Sequence, residues 1–260
     1  MLILKPFNPV FFGSLAIFVA LLIVTWALTR KKSEKFRANL IAIAFCVTFA
    51  FFWVYKVFLS LDTEYSAISA AAGNGEFSWW SELPLQLCNI NLMLIPIAIW
   101  TKKRPLLAFA FFMAPLGAIM ALSMPSAGFY DCSVLLPRML GYYITHFMVL
   151  IGGPALALFG LYRPKFKDFP ITVLTAFCIL LVIFGINSLM RATDVNPYAN
   201  YFYCSDTDGN PLLELFYKLI PVPFLYMMPA IFILVPYMTL VTLPFYLDEK
   251  KGKKTDEKNA

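Results

Sequence analysis

The sequence predicts an all-α fold: a polytopic transmembrane helical bundle of seven spans, with the amino terminus outside and the carboxyl terminus cytoplasmic. Three observations carry this reading. Of 260 residues, 60% are hydrophobic and 14% charged, with a mean hydropathy of +0.73; soluble domains run roughly half apolar and about a quarter charged. Seven apolar runs are present, most of 18 residues or more, the length that crosses a hydrocarbon core of about 30 Å. None alternates with the period of two of a membrane barrel, so the runs are helices. The same composition excludes disorder, collagen and a disulfide-rich secreted scaffold.

The runs are Val10–Leu28, Asn39–Leu61, Leu83–Trp100, Pro105–Ser123, Leu136–Tyr162, Ile171–Leu189 and Leu219–Leu243. The first is not read as a cleaved leader. Its positive cluster, Arg30 to Lys32, follows the apolar stretch, and no small-residue cleavage site stands out. The second carries Lys56, read as a snorkelling lysine near the outer end. The third opens with Pro84, which suits a helix first turn; it is the shortest. In the fifth, Gly152-Gly153-Pro154 permits close packing or a bend. Residues 1–247 form one transmembrane domain and 248–260 a charged cytoplasmic tail. No internal repeat is visible, which counts against an inverted-repeat transporter.

Charge sets the orientation. Loop 1–2, loop 3–4, loop 5–6 and the tail together hold 16 of the 21 Lys and Arg residues, and the positive-inside rule makes that side cytoplasmic. Asn74 then falls outside and Lys254 inside. The opposite loops are longer and hold Asp62, Glu64, Glu76, Asp131, Asp194, Asp206 and Asp208, with tryptophans and tyrosines suited to an interfacial belt. Function is expected to open on this outer face, because long loops have something to cover. The net charge of +6 is a topology signal, not a footprint for nucleic acid; the expected partners are membrane lipids and the expected location is the plasma membrane.

With one histidine and no paired Cys-x-x-Cys, a metal site is not expected. No phosphate-cradling glycine loop appears, so no nucleotide cofactor is expected either. No carboxylate lies deep within a run, which weighs against a proton- or ion-coupled carrier. Cys46 and Cys178 read as packing. Cys132 and Cys204 lie in two different outer loops, where an oxidising side permits a disulfide between them.

The polar residues within the runs are the candidates for function. Gln86, Asn89 and Asn91 crowd one end of the third run, and buried amides must face protein or a wet cavity. Arg138, Tyr142 and His146 are spaced by fours and form a stripe descending from the outer end of the fifth. Cys88 is 14 residues from Lys102 and His146 is 17 from Arg163, or roughly 21 and 25 Å above the inner charges. A thiol and the sole imidazole can therefore share one level in the outer half. Two readings stand at this point. Cys88 is packing and His146 a hydrogen-bonded core residue, or the two are a nucleophile and its base, with Gln86, Asn89 or Asn91 donating to an oxyanion. Arg138 reads either as an interfacial anchor or as a substrate clamp.

Leu83-Pro84-Leu85-Gln86-Leu87-Cys88-Asn89, the seven-span layout and Tyr142-Tyr143-Ile144-Thr145-His146 resemble the YwaF-type integral membrane proteins of bacteria. That family looks related to eukaryotic transmembrane protein 164, a membrane acyltransferase, and more distantly to the androgen-induced-gene membrane hydrolases. The resemblance covers roughly Val10 to Leu243. It implies a helical bundle with an acyl-carrying cysteine and a histidine partner, roles that fall by motif position on Cys88 and His146. Many members have histidine where this chain has Gln86, a departure that bears on thiol activation. The expectation is thus a thiol-dependent acyltransferase or hydrolase of glycerolipid acyl chains. The rival is a non-enzymatic membrane protein (permease, substrate-binding subunit or sensor) that binds a ligand through Gln86, Asn91, Tyr142 and Arg138.

Overall fold

Caps written in the sequence start most of the helices. Asn8 accepts from Phe11 N at 2.8 Å ahead of Pro9 and opens α1 (Pro9–Thr29). Ser33 opens α2 (Glu34–Ser60) and Asp62 opens α3 (Thr63–Ala71), each accepting from a backbone N–H three residues on, as capping residues do. α4 (Leu87–Thr101) ends at Lys102 in the left-handed conformation. It is followed by α5 (Arg104–Ser123), α6 (Pro137–Leu158), α7 (Phe169–Ala192), α8 (Pro211–Leu219) and α9 (Ile231–Asn259). Proline takes the early-turn position in α5 to α8, where its missing N–H costs nothing. This computed structural model describes residues 2–73 and 75–259, with side chains described as far as Lys251. Asn74 and the side chain of Lys254, expected on opposite sides, lie outside the described residues.

The helical membrane bundle expected from the sequence is present. Among the described residues, six helical segments are long and apolar enough to cross a membrane. The remaining apolar run is shorter than expected: α4 has 15 residues, about 22 Å at 1.5 Å per residue. Pro84 therefore does not sit in a helical first turn. Leu85 N bonds to Leu83 O at 2.7 Å in a tight turn, and residues 83–86 enter the bundle unwound. The last run begins later than expected too, because α8 and a 3-10 turn at Leu225–Ala230 precede α9. α3 and α8 are further outer-loop helices that hydropathy alone does not mark.

α6 is the central post. It packs against α1, α2, α4 and α5, and three glycines admit its neighbours. A Cβ on Gly141 would stand 2.1 Å from Tyr55 Cγ, and one on Gly153 would stand 2.4 Å from Phe111 O. Gly152 likewise leaves room for Ile95 and Phe45. Close backbone approach through small residues is the usual route to helix association in lipid. α1, α7 and α9 lie outside this core and expose long apolar side chains such as Leu21, Val182 and Leu240, as lipid-facing helices do.

Both ends are tied. On the outer side Ile3–Leu4 pairs antiparallel with Cys132–Ser133, and Lys5 meets Asp131 at 3.0 Å. On the lysine-rich side Arg104 donates from Nε and Nη2 to the two Asp168 oxygens at 2.7 and 2.6 Å, a two-point clamp. Tyr162 and Lys165 N donate to the same carboxylate.

Candidate active site

The short α4 creates the site. Because the helix begins within the bundle, the space above its first turn becomes a cavity of about 570 Å³. Non-helical backbone at this depth is tolerated where it lines a cavity or is buried in protein. The walls come from Tyr55 and Lys56 on α2, residues 81–83 and 86–89, Gly117 to Ala121 on α5 with Met124 just beyond it, Tyr142 and His146 on α6, and the loop over 196–208.

Cys88 and His146 both line this cavity and both are largely buried. The structure thus brings to one space the thiol and the imidazole that depth counting put at one level. No hydrogen bond joins them among the described residues. Cys88 is the second residue of α4, where first-turn N–H groups lack helical acceptors and the helix dipole favours negative charge. Gly117 backs it: a Cβ there would lie 2.9 Å from Leu87 and 3.4 Å from Cys88 Sγ.

His146 is held in one tautomer. Its Nδ1 lies 2.7 Å from Tyr142 O. A carbonyl only accepts, so Nδ1 carries the proton and Nε2 of the neutral ring keeps a lone pair. The ring also packs on Tyr142, centroids 4.1 Å apart. Tyr142 is fixed in turn by its hydroxyl, which donates to Ala121 O at 2.7 Å, and by stacking on Phe129.

The remaining candidates divide. Gln86 and Asn89 line the cavity. Gln86 is partly committed, because its Oε1 accepts from Phe202 N at 2.9 Å. Asn91 does not line it; it is fully buried, its Nδ2 donates to Leu87 O at 2.8 Å, and its Oδ1 has no partner among the described residues. Arg138 does not snorkel and is not among the residues that line the cavity. It is 1% exposed and donates to Asp62 at 2.6 Å and Glu64 at 3.1 Å, fastening α6 to the start of α3. The bridge that the sequence permits between Cys132 and Cys204 is not formed; both are free. Cys132 pairs through its backbone with Leu4 and has Sγ 3.7 Å from Arg138. Cys204 is buried, donates to Tyr201 O at 2.9 Å and accepts from Asn187. Burial pushes its thiol up to about 12.

One cluster escapes the sequence reading. Lys56 is buried and ion-paired with Glu82, and Tyr65 donates to the same carboxylate at 3.1 Å. Burial and the adjacent Glu82 hold the Tyr65 phenol well above its ordinary range. Lys56 and Glu82 both line the cavity, so Lys56 does not snorkel. The available signal was a lysine inside an apolar run, which asks for a partner; the carboxylate lay one residue before the next run.

The wall over 196–208 is fastened by side chains. Asn187 both donates to and accepts from the Tyr201 backbone, at 2.9 and 3.0 Å. Arg191 donates to Ala199 O at 2.7 Å, and the Tyr201 hydroxyl donates to Trp80 O. Phe202 and Tyr203 both adopt positive φ, 59° and 54°, a costly conformation for aromatic residues that persists only where its surroundings impose it.

A family model described as the TMEM164 family matches residues 5–242. The chain belongs to the TMEM164 family. The match takes in the short α4 with Cys88, α6 with His146 and the loop that closes the cavity. No curated protein and no solved structure matched the chain. Family membership and six spanning-length helices together make this TMEM164-family protein a multi-pass membrane protein.

Proposed function

We propose that this protein is a thiol-dependent acyltransferase or hydrolase of glycerolipids in the plasma membrane, with Cys88 as nucleophile and His146 as base. The supporting observation is that Cys88 and a His146 with its Nε2 lone pair left free line one cavity at the start of α4. The resemblance to YwaF-type proteins and their acyltransferase relatives points to the same two residues.

The chemistry runs as follows. The Cys88 thiol passes its proton to His146 Nε2, and the sulfur attacks the ester carbonyl of a lipid. The first-turn N–H groups of α4 and the Asn89 amide stabilise the oxyanion. Collapse breaks the ester C–O bond. The leaving alkoxide takes the proton from the imidazolium, leaving a thioester on Cys88. A lysolipid hydroxyl or water then attacks the thioester, with His146 again taking the proton; the C–S bond breaks, the acyl chain leaves as an ester or a free acid, and the imidazolium returns its proton to the Cys88 thiolate. The first step requires Sγ and Nε2 to come within hydrogen-bond reach.

The test is covalent capture. The purified protein is incubated with a glycerolipid carrying a clickable acyl chain. A hydroxylamine-sensitive adduct located on Cys88 by peptide mass spectrometry supports the reading. A parent protein that neither captures nor turns over any glycerolipid, yet shows a ligand-induced thermal shift surviving Cys88→Ala, would replace it with the binding protein.

A further inference from the structure

A second cavity lies at the opposite, lysine-rich end, away from Cys88. It is a groove of about 330 Å³ between the connector over 164–166 and α9. Lys165 and Lys250 line it, together with Phe166, Tyr246 and Thr242. Glu249 is the one carboxylate in its wall, so two ammonium groups stand against a single negative charge.

Thr242 supplies the decisive observation. It is 0% exposed, and its Oγ1 has no hydrogen-bond partner among the described residues. Neighbouring threonines behave differently: Thr239 donates to Val235 O and Thr172 to Asp168 O, each at 2.8 Å. A buried hydroxyl without a partner calls for an explanation, and this one borders a groove edged by two lysines. An anion seated in this groove would accept from the hydroxyl and meet both lysines.

We propose that this groove binds the phosphate of an anionic phospholipid, held by Lys165, Lys250 and the Thr242 hydroxyl. A lipid is favoured over free phosphate by what adjoins the groove. Leu240, Leu243 and Leu247 on α9 are 70%, 40% and 47% exposed, and they give acyl chains an apolar track leading to the phosphate. The lysine-rich end is also the side facing the anionic leaflet. Arg163 is already paired with Asp248 at 2.6 Å, so the two lysines carry the recognition.

Native mass spectrometry of the full chain, titrated with phosphatidylglycerol or phosphatidylcholine in mixed micelles, measures the proposal. Thr242→Val keeps the shape and deletes the hydroxyl. It is expected to weaken phosphatidylglycerol retention roughly tenfold, the scale of a hydrogen bond to a charged group, without lowering thermal stability in phosphatidylcholine. Lys165→Gln with Lys250→Gln is expected to abolish the preference for phosphatidylglycerol. Lys31→Gln with Lys32→Gln, at the same end in another loop, is expected to leave it intact. Unchanged phosphatidylglycerol retention in both groove variants overturns the site. Full displacement of the lipid by inorganic phosphate at matched ionic strength overturns the lipid as its occupant.

Discussion

Gln86 Oε1 accepts the backbone N–H of Phe202 at 2.9 Å, so one side chain at the mouth of α4 fastens the outer loop across the cavity that Cys88 lines. Neutral histidine also has one acceptor nitrogen and is able to make a bond of the same sense. The Gln86 position is thus a latch as well as a neighbour of the thiol.

Gln86→Ala is expected to leave the part-buried Phe202 N–H without its partner and to cost about 0.5–1.5 kcal/mol, the usual net worth of a hydrogen bond. Thermal unfolding in a defined detergent measures it. Gln86→His is expected to keep the latch and to speed acyl capture by Cys88. A slower capture at unchanged stability would show that the amide serves this protein better than an imidazole.

For the catalytic pair, Cys88→Ala is expected to abolish capture and turnover. Cys88→Ser is expected to lose most of both, since a hydroxyl is far harder to deprotonate. His146→Ala is expected to slow acylation on the order of a hundredfold or more. Each variant is first checked for insertion and folding. Full activity of Cys88→Ala in a defined lipid assay would remove the thiol mechanism.

The Lys56–Glu82 pair gives a stability prediction. Lys56→Met strands the Glu82 carboxylate, which is 13% exposed, and is expected to cost about 3 kcal/mol, the low end for breaking a buried pair. Combining it with Glu82→Gln is expected to recover most of that loss, because the stranded charge goes while an acceptor for Tyr65 stays. A double-mutant cycle on unfolding free energies decides it; additive single losses would mean that the two side chains do not interact.

The thiols give a labelling prediction. Non-reduced peptide mapping is expected to find Cys132 and Cys204 both free. Cys132 is expected to alkylate in the native protein at neutral pH, and Cys204 only on unfolding, because it is 0% exposed and its ionisation is pushed from an ordinary value near 9 to about 12. Between those two values the unfolded chain has lost the proton and the folded chain keeps it. The Cys204 contribution to stability is therefore present below pH 9 and declines as pH rises towards 12. A Cys132–Cys204 bridge in protein from an oxidising preparation would reverse both statements.

The sequence is most legible where one physical quantity dominates. Hydropathy marks the membrane helices, and Cys88 and His146, which the depth count singles out, line one cavity. It fails where partners come from far along the chain. Arg138 reads as an anchor because Asp62 and Glu64 lie 76 and 74 residues away. Asn187 finds both of its partners 14 residues on, at the Tyr201 backbone. The shortness of α4 is hidden because Leu83 and Leu85 are as apolar as the helix they precede, and only the Leu85–Leu83 turn separates the two.

The wall over 196–208 lies on a different stretch of chain from Cys88 and His146, and few side chains fasten it. Reactivity and selectivity are thereby inherited separately. A relative carrying another sequence at 196–208, with Asn187, Arg191 and Gln86 retained, keeps the same thiol and imidazole while presenting a new face to whatever enters. Exchanging this segment between members is a transplant whose sutures are known in advance, and the bundle beneath need not be redesigned to receive it.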